Sequence, residues 1–173
     1  VARQPDGVRV VLVVESMFGA TLRLAQLVAV GCASLDARCD VIEAGCAFGR
    51  VPPDRDLLVL ASPTHLRHAP TARSRATAAA EAPVLSHLGV TDWLATAGLR
   101  RHEPVAVFDT RVDARLAGSA AKVLARQARR AGGQLLVQPA SFVVVGRRGG
   151  PAPGEEDRAY AWGRELVRAV AAA

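Results

Sequence analysis

Ser16 and Thr21 bracket Gly19 in the run Glu15-Ser16-Met17-Phe18-Gly19-Ala20-Thr21. Two hydroxyls and a glycine in so short a segment suit one task, the holding of an anion. Both hydroxyls can donate, the N–H groups of Phe18, Gly19 and Ala20 stand between them, and the glycine lets the backbone approach a ligand closely. The flanks supply the setting. Val11-Leu12-Val13-Val14 is an apolar run of β-formers before the segment, and Leu22, Ala25, Val28 and Ala29 recur at helical spacing after it. A strand, a short loop and a helix start in that order turn the positive end of the helix dipole and its unpaired N–H groups toward the loop. A phosphate or similar anion is the expected guest.

Two further loops carry polar residues at the ends of apolar runs. Ser62-Pro63-Thr64-His65-Leu66 follows the run 56–61, and Asp109-Thr110-Arg111 follows 104–108. Pro63 fixes a turn, while Thr64 and His65 offer side chains at a sheet edge. Other constellations carry less. Cys32 and Arg38 have a Cys-x5-Arg spacing, but that phosphatase chemistry needs a strand–loop–helix cradle, and the pair falls where a helix leads into a strand. Cys32, Cys39 and Cys46 read as small, half-buried residues; Cys39 and Cys46 meet only if 40–45 folds back. A phosphoacceptor aspartate is excluded after the third strand, where Ser62 stands. His65 and His68 are too few for a metal site, and Asp109 and Asp113 lie beside Arg111 and Arg115, which favours local ion pairing. Neither Gly-x-Gly-x-x-Gly after a strand nor a Walker loop occurs. Arg67, Arg111, Arg147 and Arg148 fall on loops, either drawing an anionic ligand or serving as ordinary surface arginines; the second reading fits an arginine-rich chain. Trp93 and Trp162 read as packing residues.

These loops need elements to hold them. Strand patterns cover 8–14, 39–43, 56–61, 104–108 and the β-rich 134–145, which Pro139 interrupts. Helical patterns cover 21–34, 71–81, 91–97, 118–131 and 155–171. Strands apolar on both faces, alternating with helices, describe a parallel sheet covered on two sides. In such doubly wound sheets ligands sit beyond the carboxyl ends of the strands, where the strand order reverses. The three loops 15–21, 62–70 and 109–113 all belong to that end. Residues 146–154, rich in Gly and Pro, read as a mobile loop.

Composition narrows the classes further. A chain of 173 residues, half of them apolar, fits one domain spanning 1–173 with a real core. No run approaches the roughly 20 apolar residues of a membrane span, so no membrane association is expected. Residues 1–7 lack the order of a signal peptide, and three cysteines without an export signal point to a reduced, cytoplasmic setting. The net charge is +6, and Lys122 is the only lysine. The arginines are spread from Arg3 to Arg168 and aromatics are scarce, so nucleic acid is not an expected partner.

At its three loops the chain resembles the flavodoxin-domain proteins, above all those of high-GC bacteria. The resemblance rests on 15–21, on Ser62-Pro63-Thr64-His65 and on Phe108-Asp109-Thr110-Arg111, together with Ser141-Phe142-Val143-Val144, Gly154-Glu155 and Ala161-Trp162-Gly163. These motifs span almost the whole chain in the expected order. The resemblance implies an α/β fold, a flavodoxin-like doubly wound five-stranded parallel sheet with helices on both faces. It implies that Ser16, Met17, Phe18, Gly19, Ala20 and Thr21 hold the phosphate of FMN. Pro63, Thr64, His65 and Leu66, with Asp109, Thr110 and Arg111, would flank the flavin ring, largely through backbone groups. Electrons would pass to or from a redox partner protein or a small-molecule electron acceptor. An electron carrier is expected ahead of an FMN-dependent quinone or nitro reductase, because no catalytic acid or base is posed. Family members are often dimers, which leaves a homodimer open.

The chain also departs from the family pattern. Phe18 stands where the family usually has a hydroxyl and Ala20 where it often has asparagine. No Trp or Tyr occurs in 62–70 or 109–113, so His65, His68 or Phe108 would have to replace the usual ring-stacking residues, and Phe108 is expected to face the core. The chain is basic where many electron-transfer flavodoxins are acidic. A flavodoxin-like domain without flavin, serving as an interaction or regulatory module, is the alternative these departures support.

Overall fold

The computed structural model describes residues 7–65, 68–81, 83–114 and 118–173. Strand β1 (Arg9–Val14) is buried from Val10 onward, as a run apolar on both faces requires. It pairs in parallel with β2 (Arg38–Glu43) on one side and β3 (Leu57–Pro63) on the other. Beyond β3 lies β4 (Pro104–Val112), and β4 pairs in parallel with both β5 (Gln134–Leu135) and β6 (Ala140–Val144). The order is 2-1-3-4 with β5 and β6 sharing the fifth position. The sequence predicts one β-rich segment here. It is split because the chain takes five steps from Leu135 to Ala140 where β4 takes three from Val105 to Phe108. After Leu136 N–H bonds the Val105 carbonyl the chain bends away, and pairing resumes at Ala140, just past Pro139, which has no N–H to give to the ladder.

The helices divide between the faces. Alternate residues of β1 point to opposite sides: Val10, Leu12 and Val14 pack with α1 (Ala20–Ala33) and α5 (Glu155–Ala172), while Val11 and Val13 pack with α3 (Val90–Ala97) and α4 (Ala120–Arg130). Phe108 lies in the first cluster, as expected, in edge-on contact with Phe142 and Trp162. Trp93 is buried in the second. Helix α2 (Ala72–Glu81) buries only Arg75 and Ala78. No described helix is long and apolar enough to cross a membrane.

Two glycines set how closely α1 and α5 cross. A Cβ on Gly31 would collide with the Tyr160 carbonyl oxygen, and one on Gly163 with the Val28 carbonyl oxygen. Cys32, beside Gly31, donates its thiol to the Gly163 carbonyl at 3.4 Å. Its position in the last turns of α1 is no phosphatase cradle, and all three cysteines are free thiols.

Two strands that end at the cavity side of the sheet run further than the sequence predicts. β3 continues through Ser62 and Pro63, and β4 through Val112, with Ser62 opposite Asp109 and Pro63 opposite Thr110. Asp109, Thr110 and Arg111 therefore sit on a strand rather than a loop. After β6 the chain folds back on itself. Val145 N–H donates to the Gly150 carbonyl, Ala152 N–H to the Val143 carbonyl and Val143 N–H to Glu155 Oε2.

Candidate functional site

Gly19 is the N-cap of α1 at φ 98°, a left-handed conformation that glycine adopts without a Cβ penalty. As a glycine, the N-cap itself brings no side-chain bond. Ser16 Oγ accepts from Leu22 N–H at 3.3 Å, and the Gly19 carbonyl accepts from Arg23 N–H. Among the described residues the N–H groups of Ala20 and Thr21 have no acceptor, so the positive end of α1 is open. A cavity of about 450 Å³ lies in front of it, within the range of small-molecule sites.

Of the residues singled out in the sequence, Met17, Phe18, Ala20, Thr21, Pro63, Thr64, His65, Thr110 and Arg111 line this cavity. Of the remaining four, Ser16, Gly19 and Asp109 do not. Leu66, with Arg67, lies outside the described residues. Ser16 is buried behind the loop, where its N–H donates to Ser86 Oγ at 3.0 Å. Gly19 bends the chain without lining the space, and nothing lies within 4 Å of where its Cβ would be. Asp109 is fully buried and braces the wall. Its Oδ2 accepts from the Thr64 hydroxyl at 3.0 Å and from Ala121 N–H at 2.9 Å, while Thr64 Oγ1 accepts from Ala120 N–H. Asp109 and Thr64 together thus close the N-terminus of α4 and tie it to β3 and β4. Asp109 Oδ1 is buried with no hydrogen-bond partner.

The hydroxyls of Thr21 and Thr110 meet at 2.8 Å. Either can be the donor, and a pair that shares one hydrogen keeps the other for a ligand. His65 pairs with His68 through backbone hydrogen bonds of 2.8 and 2.9 Å, which turns its ring to the cavity wall. Burial, and then the nearby charge of Arg147, pull the His65 imidazole below its usual range, so it is neutral at pH 7. Among the described residues no cluster of His, Cys, Asp and Glu could hold a metal ion.

Three features lay beyond the sequence reading. Phe18, weighed there only as a missing hydroxyl, is an apolar wall of the cavity with the Arg148 guanidinium 5.6 Å above its ring. Glu81 of α2 enters the same wall and pairs with Arg147 at 3.5 Å and Arg148 at 3.2 Å, so the turn after β6 borders the site. Beneath the loop, Glu15 is fully buried and accepts from Arg75 at 3.1 Å, Ser62 Oγ at 3.1 Å and Val90 N–H at 3.2 Å. Arg75 also pairs with Asp92. Burial pushes the Glu15 carboxyl up to about 7, although Arg75, Val90 N–H and the Ser62 hydroxyl each pull it down. The signal for this cluster was present in the sequence, since a carboxylate abutting Val14 must find a buried cation, but nothing local names Arg75 as that cation.

No protein-family model matches the chain, and no curated protein matches its sequence. Solved structures do match. A flavodoxin from the domain Archaea is 15% identical, over 95% of this chain and 99% of its own, with a TM-score of 0.65. Oxidised flavodoxin 1 from Bacillus cereus is 16% identical, over 92% and 97%, also at 0.65. The rubredoxin oxygen:oxidoreductase of Desulfovibrio gigas is 16% identical over 96% of this chain but only 37% of its own, again at 0.65. At such identities the likeness is one of backbone path, and it agrees with the strand order and the paired layers of helices. The chain has the flavodoxin-like fold.

Proposed function

We propose that the chain binds FMN noncovalently in this cavity and passes electrons between a redox partner protein, or a small-molecule electron acceptor, and the flavin. One observation carries the reading: the N-terminus of α1, with the N–H groups of Ala20 and Thr21 free among the described residues, opens onto a cavity at the carboxyl ends of β1, β3 and β4, where a doubly wound sheet reverses its order. The residues present fit the group. The N–H groups of Ala20 and Thr21 and the spare hydrogen of the Thr21–Thr110 pair are donors for a phosphate. Phe18, Pro63 and Val144 give apolar wall for a flat ring, and Thr64 and Arg111 give its polar margin. FMN, once bound, supplies the redox chemistry, and the protein holds and orients it and sets its charge environment. An electron carrier fits better than a quinone or nitro reductase, since Glu81, the carboxylate on the wall, is already engaged by Arg147 and Arg148.

Purified chain titrated with FMN tests this directly. The expected result is quenching of flavin fluorescence at micromolar concentration, with a stoichiometric complex. Thr21→Ala should weaken that binding about tenfold, the loss of one charge-assisted hydrogen bond worth about 1.5 kcal/mol. A chain that leaves FMN fluorescence unchanged would favour a flavin-free interaction or regulatory module, a reading that Ala20 in the loop supports.

A further inference from the structure

We propose that Arg111 makes the cavity select its guest by redox state, holding two-electron-reduced FMN more tightly than oxidised FMN, so that the chain works as an electron acceptor at a potential above that of free FMN. The inference rests on the FMN reading and adds the direction in which this site tunes the cofactor.

Arg111 is half-buried near the end of β4, opposite Val143 of β6, and lines the cavity. Its guanidinium has no hydrogen-bond or ion-pair partner among the described residues. A cation that is partly withdrawn from water and left unpaired beside a cavity is available to an anionic guest. The rest of the wall does not cancel it. Glu81 is the carboxylate there, and two arginines, Arg147 and Arg148, share it. Both are exposed, so solvent screens them, and Arg111 carries most of the effect. His65 is neutral at pH 7 and adds no charge. Asp109 precedes the wall residue Thr110, but its carboxylate faces the N-terminus of α4 through Ala121 N–H and Thr64, where the helix dipole offsets it. Asp113 is exposed to water.

The redox balance gives the sign. FMN takes up two electrons and one proton to become FMNH⁻, with one more negative charge than before. The electrons come from a low-potential donor protein in the cell or from dithionite in the cuvette, which is oxidised in turn. The added charge meets Arg111 in a medium less polarisable than water, while the oxidised ring offers no such charge. Differential affinity for the two forms is, by linkage, a displacement of the midpoint potential.

Dissociation constants for oxidised and dithionite-reduced FMN, measured anaerobically at pH 8, decide the matter. Reduced FMN should bind at least tenfold tighter, which for two electrons places the bound midpoint about 30 mV above that of free FMN. Arg111→Gln should abolish most of this advantage and Arg111→Lys should keep it, a rescue that a purely structural arginine would not give. Equal or weaker binding of the reduced form overturns the inference on the unaltered chain alone, and so does an unchanged ratio in a folded Arg111→Gln variant. Binding of oxidised FMN without the reduced-state advantage leaves the FMN reading standing. Binding in neither state removes both.

Discussion

Glu15 shows what a single buried carboxylate imposes on its neighbours. Its ordinary value of 4.5 is raised to about 7, chiefly by burial. Between those values the folded chain holds a proton that the unfolded chain releases. The group's contribution is therefore complete below pH 4.5 and is lost as pH rises through 7, a change of about 3 kcal/mol. Arg75 limits that loss by pairing with the ionised form. Arg75→Met should cost about 3–5 kcal/mol in urea unfolding at pH 8.5, where it strands a buried charge, and clearly less at pH 5.5, where Glu15 is protonated. Asp92 is half-exposed, so water compensates it when Arg75 is removed and it does not produce the difference. An equal cost at the two pH values would show that Arg75 acts through packing. Residues of the site that lie within one turn of each other, such as Gly19, Ala20 and Thr21, were legible in the sequence because their chemistry is local. Glu81 and Arg75 were not, because distant segments bring them in and only the packing of α2 sets their approach; Arg147 and Arg148 were legible as loop arginines, but not their shared partner Glu81.

At the level of elements, strand and helix order could be read because each central strand is an unbroken apolar run and each helix shows its own period. The strand ends could not. Ser62 and Asp109–Thr110 are polar yet buried at the sheet's carboxyl edge, their hydroxyls and one carboxylate oxygen engaged by Glu15, Thr64, Thr21 and the N-terminus of α4, while Asp109 Oδ1 has no partner. A pattern that equates polarity with exposure ends both strands too early. The α1–α5 contact was equally hidden, since Gly31 and Gly163 are unremarkable in helical periodicity. Gly163→Ala gains helix propensity of about 1 kcal/mol. It also forces the added methyl onto the Val28 carbonyl, and overpacking of that kind costs about 1–3 kcal/mol. The expected outcome is net destabilisation of up to about 2 kcal/mol in chemical denaturation, against a gain of about 1 kcal/mol if the helices can move apart freely.

For the molecule as a whole, the cavity is walled by residues of β3, β4, β6, α1 and α2, so a guest there is expected to stabilise the elements that carry them. FMN at a hundredfold excess over its dissociation constant should add about 2.7 kcal/mol, a rise in melting temperature of about 5–10 °C for a chain of this size. A thermal melt with and without FMN checks it, and no shift at millimolar FMN would count against the site. The turn that follows β6 has a different bearing. By bonding back to Val143 and bringing in Glu155, it occupies backbone groups on the outer side of that strand. Another molecule seeking to lengthen the sheet there finds those donors and acceptors already used. At the opposite border, β2 presents exposed Arg38 and Asp40. The protein thus carries its own defence against edge-to-edge aggregation. The turn that borders the cavity through Gly146, Arg147 and Gly149 is also the one that keeps neighbouring copies from growing onto β6 as a shared β-sheet.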